Sequence, residues 1–234
     1  MSRVGILQSN YIPWRGYFDL IDDCDIFIVY DEVQYTKSDW RNRNKLKTPK
    51  GANWITVPVQ RTGLSTRIDE ALIDWTKDWT QRHIALVSEN YRDAPHFSKI
   101  AAGFFGHLTR QHERLSQLNF DLTTWLADRL DIKTEFRSSS GLGVPGGKTE
   151  RLISLVKAVG GTTYLSGPAA ESYLDVEAFR RAGLGLEYKT YDYEPYPQLW
   201  GPFEGAVSIL DLLMNTGPEA RRFLKSRSPR LRVV

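Results

Sequence analysis

The sequence predicts an α/β protein with a mainly parallel sheet and helices on both faces. Three observations carry this. Short apolar runs of strand length alternate with amphipathic segments of helical period over most of the chain. Several of the short runs end abruptly in polar or glycine-rich turns, as strands do at the carboxyl edge of an open sheet. The 234 residues, 41% hydrophobic and 12% aromatic, are enough to bury a sizeable core.

The elements follow in order. Residues 4–7 read as a first strand. Pro13 interrupts, and 14–22 carries Trp14, Tyr17, Phe18 and Ile21 at helical spacing. Residues 25–33 (DIFIVYDEV) read as a second strand. Residues 36–51 are polar and basic without a clean period and read as a loop. Residues 54–59 (WITVPV) read as a third strand, with Pro58 marking an edge or end. Three helical segments follow at 74–92, 97–108 and 113–130, a helical insert spanning about 74–131. The βα rhythm then returns, with strands at 133–138, 163–165 and 186–193 and helices at 149–159, 175–182 and 207–215. Asp175 is the expected N-cap of its helix. The chain reads as one α/β domain over 1–220 with a basic tail over 221–234, the end of which is expected to be mobile.

Composition excludes several classes. The formal net charge of +3 is too mild to argue for nucleic acid by itself and suits small anions. Cys24 is the single cysteine, which rules out an intrachain disulfide and a multi-cysteine zinc site. His83, His96, His107 and His112 form no metal-binding spacing, so neither metal nor cofactor is expected. No run approaches the ~18 apolar residues of a membrane span, and Ser2 and Arg3 lead straight into the first strand. A cytoplasmic protein is the expectation.

The chemistry concentrates in residues 8–43. Gln8, Asn10 and Tyr11 follow the first strand. Asp31, Gln34, Tyr35 and Lys37 end the second. If the two strands are parallel neighbours, both sets emerge on one edge and define one wall of a cleft, with Trp14 and Tyr17 beside them. The following loop carries Lys37, Arg41, Arg43, Lys45, Lys47 and Lys50 against Asp39 alone, with Trp40, Asn42 and Asn44 between. Charge runs are ordinarily solvated surface. Here the arginine forks suit phosphate or carboxylate and the indole suits a flat ring, so a nucleotide or nucleotide-sugar fits. The turn 141–149 (GLGVPGGKT) resembles a phosphate-binding loop but lacks its first glycine, since Leu142 stands there. Lys148 and Thr149 remain candidates for a plainer anion cradle, the alternative being a flexible turn. The run 163–167 (TYLSG) places Tyr164, Ser166 and Gly167 at a strand end, followed by Tyr173. No G-x-S-x-G elbow exists, so Ser166 reads as a hydrogen-bond donor. Cys24, flanked by Asp23 and Asp25, reads as a buried small hydrophobe. Residues 188–200 (YKTYDYEPYPQLW) suit either a ring-binding pocket or a loop covering the core.

The segments QSNYIPWRGYFDLI, DEVQYTKSDWRNRN, WITVPV, TTYLSGPAAESYLD and YPQLW through SILDLLMNTG together resemble the WbqC-like protein family, in the right order over essentially the whole chain. The motif positions include Gln8, Tyr11, Pro13, Trp14, Gly16, Tyr17, Asp31, Gln34, Lys37, Asn42 and Arg43 in the first half, then Tyr164, Ser166, Gly167, Tyr173 and Asp211. The resemblance implies a bacterial surface-polysaccharide (O-antigen) setting and a glycine transferase role, an aminoacyl group passing to an amino sugar. A partial resemblance to nucleotidyltransferase-like folds also exists, without the paired histidines of that superfamily.

Three functions follow as expectations. The first is a transferase moving a glycyl or other acyl group from an acyl carrier to the amine of a nucleotide-linked sugar. Asp31 or His96 would be the base, and Lys37, Arg43 and Gln8 would hold phosphate or the oxyanion. The second is a nucleotide-dependent ligase using Gly146, Gly147 and Lys148. The third is a non-catalytic nucleotide- or RNA-binding module using the basic loop and tail.

Overall fold

The computed structural model describes residues 2–234. Strand β1 (Arg3–Leu7) leads into helix α1 (Arg15–Asp22) and strand β2 (Ile26–Val29). A hairpin of β3 (Arg43–Thr48) and β4 (Gly51–Thr56) follows, then helices α2 (Trp79–Tyr91), α3 (Phe97–Leu108) and α4 (Leu115–Arg129). Next come β5 (Glu135–Ser138), α5 (Lys148–Ala158), β6 (Thr163–Ser166), α6 (Val176–Arg181) and β7 (Gly185–Tyr188). Helices α7 (Ile209–Thr216) and α8 (Ala220–Leu224) and the short β8 (Leu231–Arg232) complete the chain.

The main sheet has six strands in the order β5-β2-β1-β6-β7-β8. The first five are mutually parallel and β8 runs antiparallel on β7. Alternation along the strands sorts side chains to two cores. Val4, Ile6 and Ile28 pack with Leu155, Val156, Tyr164 and Phe179 on the α5–α6 side. Phe27, Val29 and Leu165 face the other core, which α1, the insert helices and α7 share. Gly5 faces α1, where a Cβ would stand 2.8 Å from Cys24 Sγ and 3.0 Å from Leu20, so the helix can sit this close only over a glycine. The chain leaves β1 in opposite directions along the sheet to β2 and β6, so the strand order switches between β1 and β6.

Four expectations are corrected. Residues 36–51 are not all loop, and 54–59 does not join the main sheet: the two segments pair with each other as the antiparallel β3–β4 hairpin. The period of two was hidden because one face is cationic (Arg43, Lys45, Lys47), while the other carries Asn44 beside Leu46. Asn44 is nevertheless buried, donating its amide to the carbonyls of Tyr11 and Ile12. The helix expected from 74 begins at Trp79, because Asp74 Oδ1 accepts from the Thr76 N–H and closes a turn there. The C-terminal end is not a free basic arm. Lys225 Nζ pairs with Asp22 and Asp23 at 2.6 and 2.7 Å, Arg221 with Asp22 at 3.0 Å, Arg230 with Asp23 at 3.0 Å, and β8 adds an edge to the sheet. These acids all lie at the end of α1 or just beyond it. The strand expected over 186–193 accordingly stops at Tyr188, where buried Lys189 turns to Asp19 and Asp23 at 2.8 and 2.6 Å. Asp175 does cap α6, accepting from the Ala178 N–H.

Candidate functional site

Polar and charged residues gather at the carboxyl ends of β1, β2 and β5. A cleft of about 310 Å³ opens beyond β2 and β5, lined among others by Asp31, Glu32, Asp69, Arg114, Ser116 and Ser139. Asp31 is 6% exposed. Its Oδ1 accepts the Ser9 backbone N–H at 2.8 Å, while Oδ2 has no hydrogen-bond partner. Burial raises the Asp31 carboxyl above its ordinary range, opposed by the Ser9 hydrogen bonds and by the charge of Arg41. The other two acids are occupied: Glu32 pairs with Arg151 at 2.7 Å and Asp69 with Arg67 at 2.9 Å. Facing them, the first turn of the 15-residue helix α4 supplies Ser116 and Gln117 beside Arg114, so the positive end of a helix shares the cleft with a free carboxylate. The Ser139 hydroxyl is buried and unpartnered at the same edge.

A second cleft of about 260 Å³ is lined by Asn10, Pro13, Trp14, Trp40, Asn44 and Ala206. Trp14 packs edge-on against Tyr191, with centroids 5.0 Å apart, and a Cβ on Gly167 at the end of β6 would stand 3.4 Å from the Tyr191 hydroxyl. The cleft therefore sits on the β1–β6 side of the sheet, at the switch in strand order. Residues Ser9 and Asn10 form the wall between the two clefts. Arg41 donates to Ser9 O and to Asn10 Oδ1, and Asn119 donates to Ser9 Oγ and Arg41 O, so the wall is braced from both sides.

The structure thus gathers Asp31, Asn10, Trp14 and Trp40 at two adjoining clefts. Gln8 and Tyr17 lie just behind, joined by a bond from the Tyr17 hydroxyl to Gln8 O. Arg43 lies over Trp54, its guanidinium 3.9 Å from the ring centroid. Other candidates line neither cleft. Tyr11 is wholly buried. Burial pushes His83 down to about 4, so the ring is neutral. Its Nε2 meets Thr56 O, which leaves Nδ1 to accept the Tyr11 hydroxyl at 2.9 Å. Asn42 is buried and donates to Val57 O. Tyr164 donates to Ser166 Oγ inside the core, and Thr149 Oγ1 accepts the Asp175 N–H. Lys37 and Lys148 are exposed, Tyr173 is 69% exposed, Gln34 donates to Leu64 O, and Tyr35 is buried. His96 packs against Gly217, where a Cβ would stand 2.4 Å from its ring, and donates its backbone N–H to Met214 O. It touches the end of α7 and lines neither cleft. Cys24 is buried, and burial raises its thiol well above the ordinary range.

Sequence reading missed Arg114, Ser116, Ser139 and Asp69 in the first cleft. The run Ser138-Ser139-Ser140 at the end of β5 was a usable signal, polar residues at a strand's carboxyl end. Arg114 carried none, because its place depends on how the insert folds back.

Among the described residues no helix is long and apolar enough to cross a membrane, and no group of three or more His, Cys, Asp or Glu could hold a metal ion.

These features define an α/β protein with adjoining clefts at the carboxyl edge of a mostly parallel sheet. The chain belongs to the WbqC-like protein family, which matches residues 8–223. It is 49% identical over 228 residues to the "Uncharacterized protein Rv1507c" of Mycobacterium tuberculosis (strain ATCC 25618 / H37Rv), an alignment covering 96% of this chain and 98% of that protein. No solved structure matches the chain.

Proposed function

We propose that the protein is a cytoplasmic transferase that moves an acyl or aminoacyl group, such as glycyl, onto the amine of a nucleotide-linked amino sugar, in surface-polysaccharide synthesis. The observation that carries this is Asp31: a buried carboxylate in a cleft, held by one oxygen and free at the other. A carboxyl raised by burial is a better base than a solvated one. The acceptor nitrogen bonds to the acyl carbon, and the bond from that carbon to the leaving oxygen or sulfur breaks. Asp31 Oδ2 takes the proton from nitrogen and returns it to the leaving group. Arg114 and the first turn of α4 stand where developing negative charge on the acyl oxygen is stabilised. The order of the parallel strands, 3-2-1-4-5 when numbered among themselves, supports a Rossmann-like reading in which the ligand straddles the switch. The RNA-binding alternative loses its tail, which is tied to Asp22 and Asp23.

The test is transfer itself. Wild-type protein and Asp31→Asn are incubated with UDP-linked amino sugars and a panel of thioester, adenylate and tRNA-ester acyl donors, and the sugar is weighed by mass spectrometry. Wild type should add one acyl mass and Asp31→Asn should not. No mass gain with any pair, or equal gain in both proteins, overturns the reading.

A further inference from the structure

We infer that the Trp14–Trp40 cleft and the outer face of the β3–β4 hairpin form one binding site for a nucleoside diphosphate, separate from the Asp31 cleft. The base would lie in the cleft and the diphosphate on Arg43 and Lys45. Trp40 and Trp54 touch, with centroids 5.3 Å apart, yet are 42% and 39% exposed. Leaving two adjoining indoles in water is costly, and such a patch marks a contact surface. Lys45 and Trp54 are cross-strand partners in the hairpin, and Arg43 lies two residues along on the same face. Their charged groups stand 5.1 and 3.9 Å from the Trp54 ring. Asp39, the acid nearest in sequence, is taken up by Arg41 at 3.8 Å, by Thr36 and by the Trp40 N–H. The surface is therefore aromatic and cationic together. A neutral sugar would use the rings and leave the cations idle, and an inorganic anion would do the reverse. A nucleoside diphosphate uses both. The place agrees independently: Trp14 reaches Gly167 at the end of β6 through Tyr191, so the cleft lies at the switch in strand order, where open parallel sheets bind such ligands.

This site deepens the transfer reading, resting on it for the claim that both clefts serve one ligand, but it can fail by itself. Intrinsic tryptophan fluorescence is titrated with UDP, ADP, uridine, adenosine and N-acetylglucosamine. UDP or ADP should quench, with a Kd at least tenfold below that of the parent nucleoside, and the advantage should shrink with added salt. Trp40→Ala, an exposed position, should weaken binding at least tenfold with an unchanged circular dichroism spectrum. The double variant Arg43→Gln/Lys45→Gln should bring diphosphate and nucleoside to equal affinity. No quenching by either diphosphate at about 1 mM, equal affinity of nucleoside and diphosphate for wild type, or full affinity in Trp40→Ala overturns the site. Asp31→Asn should bind UDP or ADP as wild type does. If it does so while wild type transfers nothing, the site stands and the transfer reading falls.

Discussion

Ser9 and Asp31 are joined by a hydrogen bond from the Ser9 backbone N–H to Asp31 Oδ1, 2.8 Å long and buried. It ties together the exits of two neighbouring parallel strands, β1 and β2, which the sheet holds in register from Val4↔Ile26 to Leu7↔Val29. One oxygen of the carboxylate is thereby fixed, and the other is buried without a hydrogen-bond partner. The same residue, Ser9, is gripped through its hydroxyl by Asn119 and through its carbonyl by Arg41. The carboxylate is oriented by the sheet and by the insert at once.

Replacing Asp31 by Asn keeps the shape and an acceptor for Ser9 but removes the base. Transfer should fall by about 10²–10⁴-fold. Stability should move the other way. The folded-state pKa is raised by burial, so above the unfolded carboxyl's pKa the unfolded chain binds fewer protons than the folded one. Stability is then lost as pH rises through that window. Asp31→Asn removes this loss, and its melting temperature should exceed that of wild type at pH 7 and match it near pH 3. A variant that melts lower at neutral pH would mean the carboxylate is structural.

Gly16→Ala tests how Trp14 is seated. A Cβ at Gly16 would stand 2.3 Å from the Trp14 ring, so the indole must leave its place. Helix α1 itself gains, since alanine favours helix over glycine by roughly 1 kcal/mol. The expected result is a folded protein whose quenching by UDP or ADP is weakened several-fold. Unchanged affinity would place the ligand away from Trp14.

The strands and most helices were legible because burial on both faces leaves short apolar runs, as in β2, and packing on one face leaves the stripe of α4. The Asp31 wall was legible for a related reason, since polar residues at the end of an apolar strand have only the sheet edge to occupy. The hairpin was not, because Lys47 is buried by folding its ammonium onto Gln198 Oε1 and Pro202 O, contacts about 150 residues away. Tyr11 was misjudged for a local reason. It adjoins Asn10 of the cleft wall but sits in the bend after β1, where its N–H donates to Trp40 O and its hydroxyl to His83 Nδ1, which holds the ring in the core. The chain was too far from neutral in its last residues for their acidic partners to be guessed, since Asp19, Asp22 and Asp23 sit some 200 positions earlier.

That acid–base knot makes a pH prediction. Burial works against the charge of Asp23, yet the bonds from Lys189 and Lys225 hold its carboxyl well below the usual carboxylate range. Its stabilising contribution is full above the unfolded pKa of about 4 and is lost as pH falls through the lower folded value. Lys225→Gln should cost roughly 1 kcal/mol at pH 7, no more, because Lys225 is 40% exposed and water screens it. In urea unfolding from pH 7 down to about 2, the gap between variant and wild type should begin to narrow near pH 4 and keep shrinking as pH falls further. A gap that stays constant into acid would mean that lost packing, not charge, is responsible.

Asp211 is the motif carboxylate that the clefts do not use, and its surroundings explain it. The side chain is wholly buried on α7. The Tyr91 hydroxyl donates to Oδ2 at 2.9 Å, and the Tyr196 hydroxyl and Gln198 Nε2 donate to Oδ1 at 2.8 and 2.6 Å. Tyr91 in turn accepts the Lys47 N–H, so the network binds α2, α7, the hairpin and the loop after β7 to one carboxylate. Burial raises the Asp211 carboxyl, with the three donors opposing it. Asp211→Ala strands two buried hydroxyl donors, while Gln198 Nε2 keeps Glu204 O at 2.9 Å; at about 1 kcal/mol or more for each hydroxyl, it should destabilise the protein by about 2 kcal/mol in urea unfolding at pH 7. Because Asp211, Tyr91, Tyr196 and Gln198 do not line the Trp14–Trp40 cleft, the folded fraction of Asp211→Ala should keep the wild-type affinity for UDP or ADP at low temperature. A stable Asp211→Ala that has lost that affinity would move Asp211 from the scaffold to the binding site.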